Sequence, residues 1–143
     1  MTTSLRRVVL DTNIYVDWLN VGRHEDLVLG RGLARSLSAV VAMELRAGAT
    51  TRAAQRALDA LVRAYSAAGR LIVPSADVFL QAGALLPRLR ASGRDPRKAS
   101  LVNDALIALS CRQIGATLYT ADRSDFEAIR RLQDFSLEVI AGP

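Results

Sequence analysis

Short apolar runs alternating with longer amphipathic stretches constrain the fold of this chain more than any other feature. Arg7-Val8-Val9-Leu10, Leu71-Ile72-Val73 and Ala116-Thr117-Leu118-Tyr119 lack the in–out polar alternation of a half-exposed strand. Each reads as a short strand, the first as a buried parallel one, and strands apolar throughout argue for a sheet covered on both faces. Ser36-Leu37-Ser38 and Ser136 to Ile140 add two further short strands. Helices fill the intervals: Ile14 to Gly22, a Ser38-capped helix to Gly48, and a Thr51-capped helix to Gly69. Ser75 caps another through Leu89, with Pro87 expected to kink or end it. Ser100 to Ile114 stops at Gly115, and Ser124-Asp125-Phe126-Glu127 has the pattern of a capping box opening a helix to about Leu132. His24 to Arg35 is a helical candidate broken by Gly30 and Gly32, and Ser92 to Lys98 is a basic loop. No repeat or linker interrupts the alternation. It predicts one α/β domain over residues 1–143, with a central parallel sheet flanked by helices on both faces.

In such a sheet, ligands bind beyond the carboxyl ends of the strands. Four carboxylates stand out against that rule. Asp11 directly follows the first strand, Asp122 follows the strand ending near Tyr119, Asp104 lies early in its helix, and Glu44 lies mid-helix. Together they have the chemistry of a site for a hard divalent cation, which takes oxygen ligands and activates water against a phosphate. Each also has a plain structural reading. Asp11 serves equally well as a helix cap, and Asp104 as a charge favoured in a first helical turn. Glu44 sits among Val40, Val41, Met43 and Leu45, where a carboxylate wants a partner. Asp122 suits a turn, and Asp125, beside Ser124, suits a helix start and so ranks below Asp122. Asn13 and Thr120 can orient carboxylates by hydrogen bonding, or serve as ordinary turn and cap residues.

The remaining inventory narrows the chemistry. His24 is the only histidine, which excludes cleavage by a histidine pair, and no nucleophile motif accompanies it. Cys111 is the only cysteine, so neither a disulfide nor a thiolate metal cage can form within the chain. No phosphate-binding glycine loop is present. The net charge is +5, and every basic residue except Lys98 is arginine, a residue that grips phosphate through paired hydrogen bonds. A polyanionic substrate fits that balance, as does a GC-rich genome. Arg94, Arg97 and Lys98 in the basic loop are candidates for steering RNA, or a solvated face. No uncharged stretch reaches the roughly 18 residues needed to span a bilayer. Met1 to Arg7 leads straight into a strand without a leader-like apolar region, and the expectation is a cytoplasmic protein without membrane contact.

Asp11-Thr12-Asn13, Glu44-Leu45-Arg46-Ala47-Gly48, Asn103-Asp104-Ala105-Leu106-Ile107-Ala108 and Thr120-x-Asp122-x-x-Asp125-Phe126, in that order, resemble the PIN-domain ribonucleases. Within these the chain is most similar to the VapC toxins of prokaryotic toxin–antitoxin pairs, from Val8 to about Leu132. The resemblance implies a PIN-like parallel sheet and Mg²⁺, or Mn²⁺, at the carboxylate cluster. It also implies endonucleolytic cleavage of single-stranded RNA, a homodimer, and a VapB-like antitoxin that blocks the site. Asp11, Asp104 and Asp122 are then the metal ligands and Glu44 completes the catalytic set, with Asn13, Thr120 and Asp125 behind them. An apolar helical pair around Ile14 to Leu29 would receive an antitoxin helix, or form dimer interface or core. Two alternatives stand beside this reading. One is a non-catalytic RNA-binding or assembly module. The other is a Mg²⁺-dependent phosphohydrolase with Asp11 as nucleophile, although that chemistry wants a second Asp where position 13 is Asn.

Overall fold

The computed structural model describes residues 5–140; residues 1–4 and 141–143, which fall within the expected single domain and the leader-free start, lie outside the described part. The described residues form five strands: β1 (Arg6–Leu10), β2 (Leu33–Ser38), β3 (Leu71–Ile72), β4 (Thr117–Thr120) and β5 (Leu137–Val139). All pair in parallel in the order β3-β2-β1-β4-β5. Seven helices connect them: α1 (Thr12–Val21), α2 (Glu25–Leu29), α3 (Ala39–Gly48), α4 (Arg52–Ala67), α5 (Ala76–Ala91), α6 (Ala99–Ile114) and α7 (Ser124–Leu132). The expected α/β sheet with helices on both faces is the fold observed.

Burial explains the central strands. Val8, Val9, Leu10 and Leu118 are inaccessible to solvent, as predicted for runs without polar alternation. α6 is buried almost all round from Ala105 to Cys111 and forms the middle of the core. Each large aliphatic side chain removed from water there contributes about 1.5–3 kcal/mol. Local capping chemistry also acts as the sequence indicates. The hydroxyls of Ser38, Thr51 and Ser75 accept from Val40 and Val41, Ala54, and Val78 backbone N–H groups respectively. No helix among the described residues is long and apolar enough to cross a membrane.

Three local expectations are corrected. The segment from His24 to Arg35 is not one interrupted helix, because α2 ends at Leu29 and Leu33-Ala34-Arg35 belong to β2. A side chain at Gly30 would run into the Asp26 carbonyl, and Gly32 turns the chain at φ 91°. The Arg35 guanidinium then bonds the Leu27 and Gly30 carbonyls, tying the new strand to the end of the short helix. Pro87 neither ends nor interrupts α5, which continues to Ala91. Buried Leu85 and Leu89 flank it, and their packing offsets the lost backbone bond. Finally, Ser124 is not a cap but the first residue of α7. No capping box forms, and the Ser124 N–H donates instead to Asp122 Oδ1 at 3.2 Å.

Candidate functional site

The chain leaves β1 for β2 and β3 on one side and returns to β4 and β5 on the other, so the switch point lies between β1 and β4. A crevice opens at the carboxyl ends of strands at such a point. Asp11 is the residue immediately after β1, and Thr120 is the last residue of β4. Their side chains meet there, the buried Thr120 hydroxyl donating to Asp11 Oδ2 at 2.7 Å. The same hydroxyl accepts from the Asp122 N–H at 3.0 Å and from Asn13 Nδ2 at 3.3 Å, which uses its donor and both lone pairs. Asn13 in turn accepts the Ala121 N–H through Oδ1 at 3.2 Å. Thr120 and Asn13 thus clip the start of α1 to the turn after β4.

Asp11 fills the cap role that its sequence setting allowed and stands among other acids. Its Oδ1 accepts the Thr12 N–H at 2.8 Å as the cap of α1, while the side chain lies in the acidic crevice. Burial pushes its carboxyl up to about 6 against the lowering pull of the Thr120 and Thr12 bonds, and the charges of Glu44 and Asp122 add to the rise. With both oxygens bonded and only 6% of the residue exposed, Asp11 is poorly placed as a nucleophile.

Asp104 is the electrostatic centre. It lies in the second turn of α6, since the helix begins at Ala99, so the first-turn dipole reading does not hold. Burial, followed by the charges of Asp11, Asp125, Glu44 and Asp122, pushes it up to about 9. Among the described residues no hydrogen-bond donor reaches its carboxyl. The other acids are each held. Glu44, half-buried on α3, accepts Thr12 Oγ1 at 2.7 Å and Asn103 Nδ2 at 3.4 Å. Asp122 is exposed and accepts the Ser124 N–H. Asp125 is half-buried and paired with Arg94 Nη1 at 2.6 Å. Its charge and that of Asp122 both act to raise Asp104.

Thr12 and Asn103 were not among the candidates, although both adjoin one; their hydrogen bonds to Glu44 span 32 and 59 residues, and only the fold reveals them. The basic loop divides. Arg94 is committed to Asp125 and Ser124, Arg97 is highly exposed and folds back on Asp95 at 3.1 Å, and exposed Lys98 precedes α6.

An all-carboxylate donor set with unrelieved mutual repulsion suits a hard divalent cation such as Mg²⁺ or Mn²⁺. The fit lies in chemistry and charge. Among the described residues, no three acidic, histidine or cysteine side chains are gathered closely enough, as they stand, to hold one ion together.

The family model for the PIN domain matches residues 8–132. Among solved structures, the fold is similar to that of VapBC2 from Rickettsia felis bound to a DNA fragment from their promoter, at 24% identity and a TM-score of 0.68 over 94% of this chain and 98% of that one. DNA-bound VapBC from Salmonella typhimurium is similar at 20% identity and a TM-score of 0.67, covering 94% of this chain and 98% of that one. VapBC-5, a member of the VapBC family of toxin–antitoxin systems from Mycobacterium tuberculosis, gives 24% identity and a TM-score of 0.58 over 95% and 98%. At these identities the likeness is one of fold. No curated protein matches the sequence.

Proposed function

The chain belongs to the PIN-domain family, and on that premise we propose that it is a Mg²⁺-dependent endoribonuclease, the toxin of a toxin–antitoxin pair, cutting single-stranded RNA. One observation carries the reading. Asp11 just past β1, Glu44 on α3, Asp122 in the β4–α7 turn and Asp125 on α7 all bear on the half-buried carboxyl of Asp104 on α6.

Asp11, Asp104 and Asp122 are the residues that would hold the cation, with Asp125, paired to Arg94, behind them. A cation bound there supplies an acidified water and offsets charge on the phosphoryl oxygens. The protein's own contribution is positional. Thr120 and the Thr12 N–H fix both oxygens of Asp11, so it needs no reorganisation. Thr12 and Asn103 aim Glu44 from two helices, and its remaining lone pairs are free to orient the attacking water or take its proton. Lys98 and Arg97 offer positive charge to the RNA backbone.

A VapB-like antitoxin is part of the same proposal. A groove of about 140 Å³ lined by Val16, Leu19, Leu45 and Leu58 adjoins Glu44 and suits the apolar face of a helix. Ile14 and Tyr15, at the start of the expected docking pair, are instead core. The expected assembly is a homodimer in the cytoplasm, and exposed Val73, Phe79 and Leu80 around the start of α5 supply apolar surface for it.

The test is expression in a heterologous host of the wild type and Asp104→Asn, with mapping of new RNA 5′ ends. Growth arrest with site-specific cuts, absent from the variant, is expected. The open spacing of the acids favours a second reading, a non-catalytic RNA-binding or assembly module. Purified wild type that leaves RNA as intact as Asp11→Ala does, with Mg²⁺ present, would establish that alternative.

A further inference from the structure

Among the described residues, Arg94 is the arginine paired to an acid of the centre. It sits in the loop between α5 and α6, where its backbone N–H bonds the Leu89 carbonyl at 3.0 Å. Its guanidinium reaches α7 through three bonds: Nη1 to Asp125 Oδ1 at 2.6 Å, Nη1 to Ser124 Oγ at 2.9 Å and Nη2 to the Ser124 carbonyl at 3.2 Å. Both partners are partly withdrawn from solvent, with 32% of the Arg94 and 25% of the Asp125 side chain exposed. Arg97, three residues on, is 85% exposed and bonds only within its own loop. The contrast separates a fixed, partly desolvated charge from a solvated one, and only the former exerts much field on its surroundings.

Resting on the metal-centre reading above, we propose that Arg94 is a positioning residue that moderates the affinity of this centre for divalent cations. It does so by occupying Asp125 and by placing one fixed positive charge against the acids. Asp125 is the acid through which the effect is transmitted. It is fixed by the guanidinium, and its charge reaches Asp104 in the centre. Without Arg94, the centre gains both an uncommitted carboxylate and a net negative charge. Both changes favour a divalent ion, so the direction of the effect is unambiguous. A lysine at the position keeps the charge but not the forked set of bonds.

The experiment titrates Mn²⁺ alone into the full-length protein, followed by electron paramagnetic resonance of the free ion. Wild type is compared with Arg94→Gln, Arg94→Ala and Arg94→Lys, and the melting temperature of each is recorded in chelator. The neutral variants are expected to bind Mn²⁺ about fivefold more tightly, from loss of one nearby charge in a partly screened site. Arg94→Lys is expected to bind as the wild type does. Arg94→Gln retains amide donors for Ser124 and serves as the folded comparator should Arg94→Ala unfold. A purely structural role would lower the melting temperatures of all three and leave Mn²⁺ affinity unmoved, and that result overturns the proposal. Wild type that binds no Mn²⁺ overturns the metal-centre reading itself, and this inference with it.

Discussion

Replacing Asp104 by Asn should abolish the proposed activity and at the same time stabilise the cation-free protein. An aspartate held at about 9 in the fold, against its ordinary value of 3.8, keeps its proton in the native state over the interval between. The native chain therefore binds more protons than the unfolded chain there, and stability falls as pH rises through it. At pH 7 the whole difference for one such carboxyl is about 4 kcal/mol, from 1.36 kcal/mol per unit. The site is partly open to water, which reduces this, so a gain of about 2 kcal/mol is expected on replacing the carboxyl. For a chain of 143 residues that corresponds to about 7 °C in melting temperature. The assay is thermal unfolding followed by circular dichroism in chelator, at pH 4, 7 and 8.5. The variant's advantage should be near zero at pH 4 and grow with each step. Excess Mg²⁺ should then raise the melting temperature of the wild type but not of the variant. An advantage that is absent, or that does not grow with pH, would refute the claim that Asp104 is buried among like charges.

Two further outcomes follow from individual contacts. Thr120→Val keeps the shape of a fully buried side chain but removes a hydroxyl that donates to Asp11 and accepts from Asp122 and Asn13. Urea unfolding should show a loss of about 2–4 kcal/mol, with Thr120→Ser recovering most of it, whereas a change under about 0.5 kcal/mol would mean that the network contributes little. Pro87→Ala should stabilise by about 1–3 kcal/mol by restoring an N–H within α5. A loss of stability would instead show that seating Leu89 in the core depends on the proline.

Local signals made much of the fold legible. Strands without polar alternation favour a covered sheet, and Val8, Val9, Leu10 and Leu118 are fully buried in one. The equally apolar Leu71-Ile72 nevertheless forms a half-buried edge strand followed by exposed Val73. Ser38, Thr51 and Ser75 cap within three residues of themselves, so their chemistry is complete in the sequence. The failures involve distant partners. Leu33-Ala34-Arg35 contain good helix formers, and they become strand because β1 provides a ladder for them and Arg35 finds carbonyls on α2. The Ser124 pattern of a capping box was equally local, yet Arg94, 30 residues earlier, takes the Ser124 hydroxyl and Asp122 takes its N–H.

The site divides along the same line, for an electrostatic reason. A carboxylate beside apolar residues or just past a strand announces an unpaid desolvation cost wherever it stands, so Asp11, Glu44 and Asp104 were recognisable without coordinates. A donor announces nothing, because a threonine or asparagine is comfortable in many settings and acquires a role only from the acceptor it faces. Thr12 and Asn103 are donors of this kind, and each is adjacent in sequence to an acid other than the one it serves. Thr12 follows Asp11 and serves Glu44 with its hydroxyl, and Asn103 precedes Asp104 and also serves Glu44. Neighbouring positions on a helix diverge by about 100°, so adjacency in the chain separates side chains that packing of α1, α3 and α6 reunites in a different pairing. Among the described residues, Asp104 is left as the acid of this cluster that no donor serves. That asymmetry, and not the number of acids, identifies the position where an external cation would relieve the most strain.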